Sequence, residues 1–224
     1  MQDYKKEIVK ILDHFSYRKS RIDVFKDACE FDALTIACLF DPFKKDMRNK
    51  RRQEILDVYT GQDKSVFNNI CDKIIEMLSN MLDDFQDYLG EIFMNIQAGN
   101  KRNGQFFTPY HVANFMAKVQ FVEKPSTEKI ITISEPCCGS GVLMIAVADT
   151  LNEYQHNYAQ HAVVVASDID IACVHMAYLQ IAFCGMPAIV QHKDSLANKC
   201  WDTFVTPAFS LQFNKFYNAL NKGE

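Results

Sequence analysis

The sequence predicts an α-helical N-terminal region followed by an α/β region that contains a parallel sheet. In residues 1–97 the apolar residues recur at helical spacing, and Pro42 is the only proline. After residue 104, short apolar runs alternate with helical segments, which is typical of strand–helix–strand units. A polar, glycine-containing connector at 98–104 separates the two patterns. We therefore predict a helical region over 1–103 and an α/β region over 104–224.

Composition places the chain among ordinary globular proteins. It has 224 residues, of which 48% are hydrophobic and 23% are charged. A net charge of −4 argues against general coating of nucleic acid but does not exclude a local basic face. No apolar run reaches the length of a membrane span, and no signal peptide is visible at the N-terminus, so we expect a cytoplasmic protein. The eight cysteines show no zinc-binding spacing, so we interpret them as reduced thiols and expect no metal site.

The N-terminal region is expected to form about four or five helices, given typical helix lengths. The spacing is clearest at Ile8, Ile11, Leu12 and Phe15. A strongly basic run follows at 44–52. We favour a solvated loop and helix start for this run over a patch that contacts phosphate groups, since most charge runs are simply solvated.

Strands and helices alternate in the second region. Thr108 is a plausible N-cap and Pro109 a first helical residue for a helix that runs to about residue 122. Strands are predicted at 130–134, 162–167, 188–192 and 203–206, and further helices at 142–151, 171–184 and 210–220.

The most informative segment is Glu-Pro-Cys-Cys-Gly-Ser-Gly at 135–141, between a predicted strand and a predicted helix. Glycines in such a turn let the backbone approach a ligand and direct the N–H groups of the helix start toward it. The acidic Glu135 at the start of the turn argues against a phosphate ligand and suits a cationic or hydroxyl-rich one.

Three acidic residues follow successive strands: Glu135, Asp168 and Asp194. Ligands of open parallel sheets bind at the carboxyl ends of the strands, where such residues accept hydrogen bonds from ribose or adenine groups. Each acid alone is equally consistent with a helix cap or a turn residue. The residues therefore indicate a nucleoside-containing ligand but leave a dinucleotide and other adenosine compounds open.

Four segments resemble those of one enzyme family. They are Gly-Gln-Phe-Phe-Thr-Pro at 104–109, the glycine turn at 135–141, Ser-Asp-Ile-Asp at 167–170 and Lys-Asp-Ser-Leu at 193–196. In these segments the chain resembles the S-adenosylmethionine-dependent adenine-N6 DNA methyltransferases, most closely the modification subunits of type I restriction systems. The resemblance covers about residues 60–209. It implies a Rossmann-like methyltransferase sheet that ends after the fourth strand, preceded by helices.

The resemblance also implies S-adenosylmethionine as the cofactor, and roles for particular residues. Phe107, Thr108 and Pro109 would contact the methionine end of the cofactor. Glu135 and Pro136, with the backbone of Gly139 and Gly141, would line the methionine and the sulfonium. Asp168 would hold the ribose hydroxyls, Ile169 would pack on the adenine ring, and Asp194 would accept a hydrogen bond from the adenine amino group.

The catalytic motif of the family is Asn or Asp, then Pro-Pro, then Tyr or Phe, and it acts on an adenine flipped out of the duplex. The matching positions here are Thr206, Pro207, Ala208 and Phe209. The candidate catalytic residues are thus Thr206, Pro207 and Phe209. A threonine lacks the carboxylate or amide carbonyl that the family has at the first motif position. Losing such a hydrogen-bond partner typically lowers the reaction rate by orders of magnitude.

Three hypotheses follow from this departure. The chain is a working methyltransferase with a variant motif, a catalytically impaired cofactor-binding relative that acts as a regulator or partner subunit, or an interaction module. Family catalytic domains continue through further strands, so we expect the sheet edge to be covered by a partner, a second copy or a missing segment. DNA and a specificity subunit are the implied partners, with Lys101, Arg102 and the run at 44–52 as candidate phosphate contacts.

Overall fold

The computed structural model of this chain describes residues 4–15, 19–97 and 106–221. The helices are α1 (Tyr4–Leu12), α2 (Arg21–Phe40), α3 (Lys45–Val58), α4 (Gly61–Leu78), α5 (Tyr88–Gln97), α6 (Tyr110–Gln120), α7 (Val142–Glu153), α8 (Tyr158–His161), α9 (Ile171–Phe183), α10 (Pro207–Ser210) and α11 (Phe213–Asn221). The strands are β1 (Ile131–Glu135), β2 (Ala162–Asp168), β3 (Ala188–Asp194) and β4 (Lys199–Val205). Short 3-10 helices at Asp13–Phe15 and Pro42–Lys44 follow α1 and α2.

The N-terminal region contains five α-helices within the described residues, which confirms the prediction from periodicity. Helix α2 packs against α9, so the N-terminal helices lie directly on the helical layer of the sheet. One continuous apolar core includes Phe25 and Phe67 from the N-terminal helices, Val164 from β2, and Ala177 from α9. The predicted boundary between residues 103 and 104 lies outside the described residues and stays a prediction.

The sheet has the strand order β1-β2-β3-β4. Strands β1, β2 and β3 are parallel, with Glu135 opposite Ala166 and Asp168 opposite His192. Strand–helix–strand connections are nearly always right-handed, so α7 and α9 lie on the same face of the sheet. A smaller cluster of Val163, Phe209 and Phe216 packs α10 and α11 on the other face. The sheet is therefore enclosed between two helical layers, as expected for an α/β fold.

Strand β4 departs from the expected parallel sheet, because it pairs antiparallel with β3. Only four residues, 195–198, separate β3 from β4. A parallel crossover needs about a dozen residues or more, whereas a short turn can join antiparallel neighbours. The fourth strand also begins at Lys199, four positions before the predicted start at 203. The end of β4 consequently lies at the amino edge of the sheet.

Two helix boundaries also differ from the prediction. Helix α6 begins at Tyr110, and its N-cap is Pro109 in an extended conformation, so Thr108 precedes the cap. The C-terminal helix predicted at 210–220 corresponds to α11, which begins at Phe213, and the short helix α10 at Pro207–Ser210 precedes it. No helix among the described residues is long and apolar enough to cross a membrane.

The basic run at 44–52 contacts the protein itself more than the prediction of a solvated segment implied. Arg48 is buried and donates hydrogen bonds to Asp41 at 2.9 Å and to the carbonyl oxygen of Thr203 at 3.0 Å. Lys44 forms an ion pair with Asp202 at 2.6 Å. These contacts fix β4 to the N-terminal helices.

All eight cysteines are free thiols, as predicted. Six of them are buried, and Cys137 and Cys200 are exposed. Burial raises the pKa of the Cys138 thiol well above its usual value, so this thiol stays protonated at neutral pH.

Candidate cofactor site

The turn between β1 and α7 has the backbone geometry that its glycines predict. Gly139 and Gly141 adopt φ angles of 54° and 96°, in the left-handed region that favours glycine. A Cβ atom at Gly139 would lie 3.2 Å from the ring of Phe107, and one at Gly141 would lie 3.1 Å from the Cα atom of Ala177 in α9. Gly139 therefore allows close approach at the candidate site, whereas Gly141 allows α7 to start close against α9.

Asp168 joins the end of β2 to this glycine turn. Its Oδ2 atom accepts a hydrogen bond from the backbone N–H of Gly139 at 2.8 Å, and its Oδ1 atom accepts one from the N–H of Asp170 at 2.9 Å. A carboxylate has about four acceptor positions, so both oxygens retain capacity for ligand hydroxyl groups. The carboxylate is thus held by the backbone in a fixed orientation next to the turn.

The other two predicted acids lie at the same edge of the sheet. Glu135 accepts a hydrogen bond from the N–H of Cys137 at 3.0 Å. Asp194 accepts hydrogen bonds from the N–H groups of Leu196 at 3.0 Å and of Ala197 at 2.9 Å. Each acid therefore also performs the local turn role that the sequence allowed for it.

Ser195 ties the turn after β3 to the turn after β1. Its hydroxyl group donates to the carbonyl oxygen of Pro136 at 2.7 Å. This bond spans the end of β2, because β2 lies between β1 and β3. The carboxyl edge is thus a continuous surface, and it presents three carboxylates to a ligand.

Apolar side chains project from the same edge. Ile169, directly after Asp168, is 63% exposed, and Leu196 and Phe106 are also exposed. An exposed apolar side chain between two acids suits a flat ring whose edge carries hydrogen-bonding groups. The combination fits the adenine and ribose of a nucleoside better than it fits a fully charged ligand.

A cavity of about 200 Å³ opens beside the glycine turn. Four of the ten predicted cofactor residues line it: Phe107, Thr108, Gly139 and Asp168. Ligand pockets commonly measure about 300–1,000 Å³, so a cofactor of nucleoside size would also extend over the open surface near Ile169 and Asp194.

A buried hydrogen-bond network lies next to the turn, and the sequence did not predict it. Asp87, just before α5, accepts hydrogen bonds from the hydroxyl group of Ser140 at 2.6 Å and from the side-chain amide of Gln180 at 2.8 Å. It also accepts one from the N–H of Gly90 at 3.0 Å. Burial raises the pKa of Asp87, and these donors oppose that shift. No local motif marks Asp87, since its main partners lie more than fifty positions away along the chain.

The predicted catalytic residues lie away from this edge. Thr206 is fully buried, donates a hydrogen bond to the carbonyl oxygen of Met186 at 2.8 Å, and accepts one from the N–H of Ala188 at 2.9 Å. These partners lie at the start of β3, at the amino edge of the sheet. Pro207 begins α10, and Phe209 is buried against Phe216. The structure thus does not bring these residues together with Asp168, and their catalytic role remains a prediction without geometric support.

Two further predicted residues fall outside the described part of the chain. They are Lys101 and Arg102, the candidate phosphate contacts in the connector. Gly104 and Gln105, the first residues of the 104–109 segment, also lie there.

The sequence matches the model of the N-6 DNA Methylase family over residues 80–217, which is more than half of the chain. The chain belongs to this family. The matched range includes α5, the glycine turn and all four strands, so the resemblance seen in the four segments is confirmed. Membership implies S-adenosylmethionine as the cofactor, and the glycine turn with its neighbouring carboxylates fits that molecule. No curated protein matches the sequence significantly.

Solved structures with a similar fold include proteins of restriction systems. A type I restriction-modification methyltransferase subunit from Streptococcus thermophilus aligns with a TM-score of 0.49 at 13% identity, over 90% of this chain and 60% of its own. A chain assigned as a class I S-adenosylmethionine-dependent methyltransferase from Listeria monocytogenes gives 0.47 at 15% identity, over 90% and 57%. A modification subunit assigned to a type I restriction enzyme from Vibrio vulnificus gives 0.44 at 16% identity, over 59% and 28%.

The present chain spans less than two thirds of the length of each of these three proteins. At such identities and scores, the family assignment depends on the sequence match alone.

Proposed function

We propose that this chain binds S-adenosylmethionine at the carboxyl edge of β1, β2 and β3, as the cofactor-binding part of an adenine-N6 DNA methyltransferase. The observation that carries the proposal is the hydrogen bond between Asp168 and the N–H of Gly139. This bond holds the carboxylate that we assign to the ribose hydroxyls beside the turn where a ligand can approach the backbone.

The residues of this edge have distinct roles in the proposal. Asp168 accepts hydrogen bonds from the ribose hydroxyls, and Asp194 accepts one from the adenine amino group. Ile169 covers one face of the adenine ring. Glu135 and the N–H groups of the turn lie along the methionine end, where a carboxylate also stabilises a neighbouring positive charge. When bound, the cofactor supplies an electrophilic methyl group on its sulfonium.

DNA is the proposed acceptor, by family membership. In the basic run, the exposed Lys45 and Lys50 form no ion pair with a described residue and are available for phosphate contacts.

We also propose a second subunit or a second copy as a partner. Helix α6 exposes Val112, Phe115, Met116 and Val119, which are spaced along one helix face and suit such a contact. We also propose a cytoplasmic location, because free thiols stay reduced in the cytoplasm.

A second candidate function is a cofactor-binding subunit that does not itself transfer the methyl group. In this alternative Thr206 has a structural role only, because the antiparallel β4 carries this residue to the amino edge of the sheet, away from Asp168. Under this alternative, the catalytic group comes from another polypeptide.

Calorimetric titration of S-adenosylmethionine into the purified chain tests the cofactor site. We expect binding in the micromolar range, weakened at least about tenfold, or about 1.4 kcal/mol, in Asp168→Ala. Asp57→Ala removes an exposed acid of α3 that does not line the cavity beside the glycine turn, and it serves as the matched control, with unchanged affinity. Absence of binding at millimolar cofactor in the unaltered chain would refute the proposal.

Transfer of labelled methyl groups to adenine-containing duplex DNA then separates the two candidates. Incorporation by the chain alone supports a complete enzyme. Cofactor binding without incorporation, together with incorporation after a cognate subunit is added, supports the partner role.

A further inference from the structure

A second groove lies between the N-terminal helices and the β3–β4 hairpin. Its volume is about 490 Å³, within the range of about 300–1,000 Å³ typical of small-molecule sites. It is lined by residues of α2, α3, α9, β3 and β4, and it shares no lining residue with the cavity beside the glycine turn. The groove is therefore separate from the candidate cofactor cavity.

An aromatic surface forms one side of this groove. Trp201 of β4 is 46% exposed, and its ring lies 4.7 Å from the ring of His192, measured between centroids. The Nζ atom of Lys199 lies 5.5 Å from the centroid of the Trp201 ring. Met47 of α3 and Ile171 of α9, both partly exposed, add apolar surface. An exposed tryptophan with apolar neighbours is a stacking surface for a flat ring.

The groove also contains a mostly buried histidine. His175 of α9 lines it, is only 4% exposed and packs edge-on against Phe204, with 5.4 Å between the ring centroids. Burial lowers the pKa of His175 to about 4, so the ring is neutral at physiological pH and offers one donor and one acceptor. A ligand edge that carries an acceptor and a donor therefore matches this ring.

The charged residues around the groove mostly neutralise one another. Arg51 contacts Glu30 through two hydrogen bonds at 2.6 and 3.0 Å, and Arg48 pairs with Asp41. Asp202 pairs with Lys44. Lys50 also lines the groove, is exposed, and forms no ion pair with a described residue. The interior of the groove thus suits an uncharged ring, and Lys50 at its rim suits an anion.

We propose that this groove binds a nucleobase, stacked on Trp201, hydrogen-bonded along its edge to His175, and with its phosphate directed toward Lys50. Stacking on aromatic side chains accepts any base, because every base has a π-face. The base comes either from a free nucleotide or from a single-stranded segment of nucleic acid. The proposal goes beyond the cofactor site and does not depend on it.

Trp201 is the only tryptophan of the chain, so its fluorescence reports on this groove without labelling. We expect saturable quenching when adenosine monophosphate or a single-stranded deoxyadenosine oligonucleotide of about six nucleotides is titrated into the full chain. Tighter binding of the oligonucleotide identifies a nucleic acid strand as the source of the base. Equal or tighter binding of the mononucleotide identifies a free nucleotide.

Three variants test the assignment. His175→Phe keeps an aromatic ring at this position and removes the hydrogen-bonding edge, so we expect the Kd to rise about tenfold or more. Met47→Glu changes an exposed side chain of the groove and should weaken binding without disturbing the fold. Asp168→Ala disables the proposed cofactor site and should leave the quenching unchanged.

Each contrary result overturns the proposal. Absence of saturable quenching by both ligands at millimolar concentration would show that no base binds. Loss of quenching in Asp168→Ala would show that the signal comes from the cofactor edge. Unchanged affinity in both His175→Phe and Met47→Glu, with native circular dichroism, would place the ligand elsewhere.

Discussion

Thr206 matches a position of the family's catalytic motif, but its side chain has a structural role in this fold. Its hydroxyl group forms two hydrogen bonds with the backbone at the start of β3, and its side chain is fully buried. The backbone N–H of Thr206 adds a third bond to the carbonyl oxygen of Ala188 at 3.0 Å. In this position the side chain stabilises the junction of β3, β4 and α10.

We predict that Thr206→Val lowers the free energy of unfolding by about 1–3 kcal/mol, because it leaves a buried N–H and a buried carbonyl group without a partner. Urea denaturation at neutral pH measures the change. Thr206→Ser keeps the hydroxyl group and should be less destabilising than Thr206→Val.

The position of Thr206 at the amino edge of the sheet also determines what we expect of methyl transfer by a Thr206 variant. Thr206→Asn restores a family residue at the motif position, yet the structure offers it no contact with the carboxyl edge. A clear rise in methyl transfer by this variant would show that β4 adopts another arrangement during catalysis.

At the scale of elements, the start of α5 supports the glycine turn. Asp87 connects Ser140 in the turn, Gln180 in α9 and Gly90 in α5. The side-chain carbonyl of Gln180 in turn accepts a hydrogen bond from the N–H of Leu89 at 3.1 Å. Hydrogen bonds to Asp87 thus connect the glycine turn to the N-terminal helices. The hydrogen bond to Asp168 connects the same turn to the end of β2 at the candidate cofactor site.

We predict that Asp87→Ala lowers the free energy of unfolding by about 3 kcal/mol or more, since it leaves several buried donors unpaired at once. Asp87→Asn has nearly the same shape and keeps an acceptor, so it should cost much less. Chemical denaturation of the two variants provides the comparison. Equal losses for Ala and Asn would mean that the charge of Asp87, rather than the network, stabilises the turn.

At the scale of the whole molecule, the helical and α/β regions share one apolar core. Helix α9 is buried along nearly its whole length, because it packs on the sheet on one side and against α2 on the other. Separating the two regions would expose this apolar surface to water, at a cost that rises with the area exposed.

We predict a single unfolding transition for the whole chain. Far-ultraviolet circular dichroism reports mainly on the helices and Trp201 fluorescence on the sheet, and the two signals should change at the same urea concentration. Phe25→Ala in α2 and Val164→Ala in β2 each remove buried side chains of the shared core, and each should shift both signals together. Two separate midpoints would show that the regions unfold independently.

The sequence by itself determined the part of the fold that depends on local signals. Apolar periodicity predicted about four or five N-terminal helices, and the glycine turn with its flanking strand and helix located the carboxyl edge. Residues at the carboxyl ends of parallel strands lie at the same edge, so the sequence alone predicted that Glu135, Asp168 and Asp194 lie together.

Only the tertiary structure decided the direction of β4, the burial of Thr206 and the role of Asp87. Each depends on contacts between residues far apart in the chain, such as Arg48 with Thr203 and Asp87 with Gln180. A strand segment has the same local pattern whether it pairs parallel or antiparallel, and a buried carboxylate has the same sequence signature as an exposed one. The direction of a strand and the burial of a carboxylate both depend on the residues that pack against them. Those residues come from distant parts of the chain and are brought together only in the folded structure.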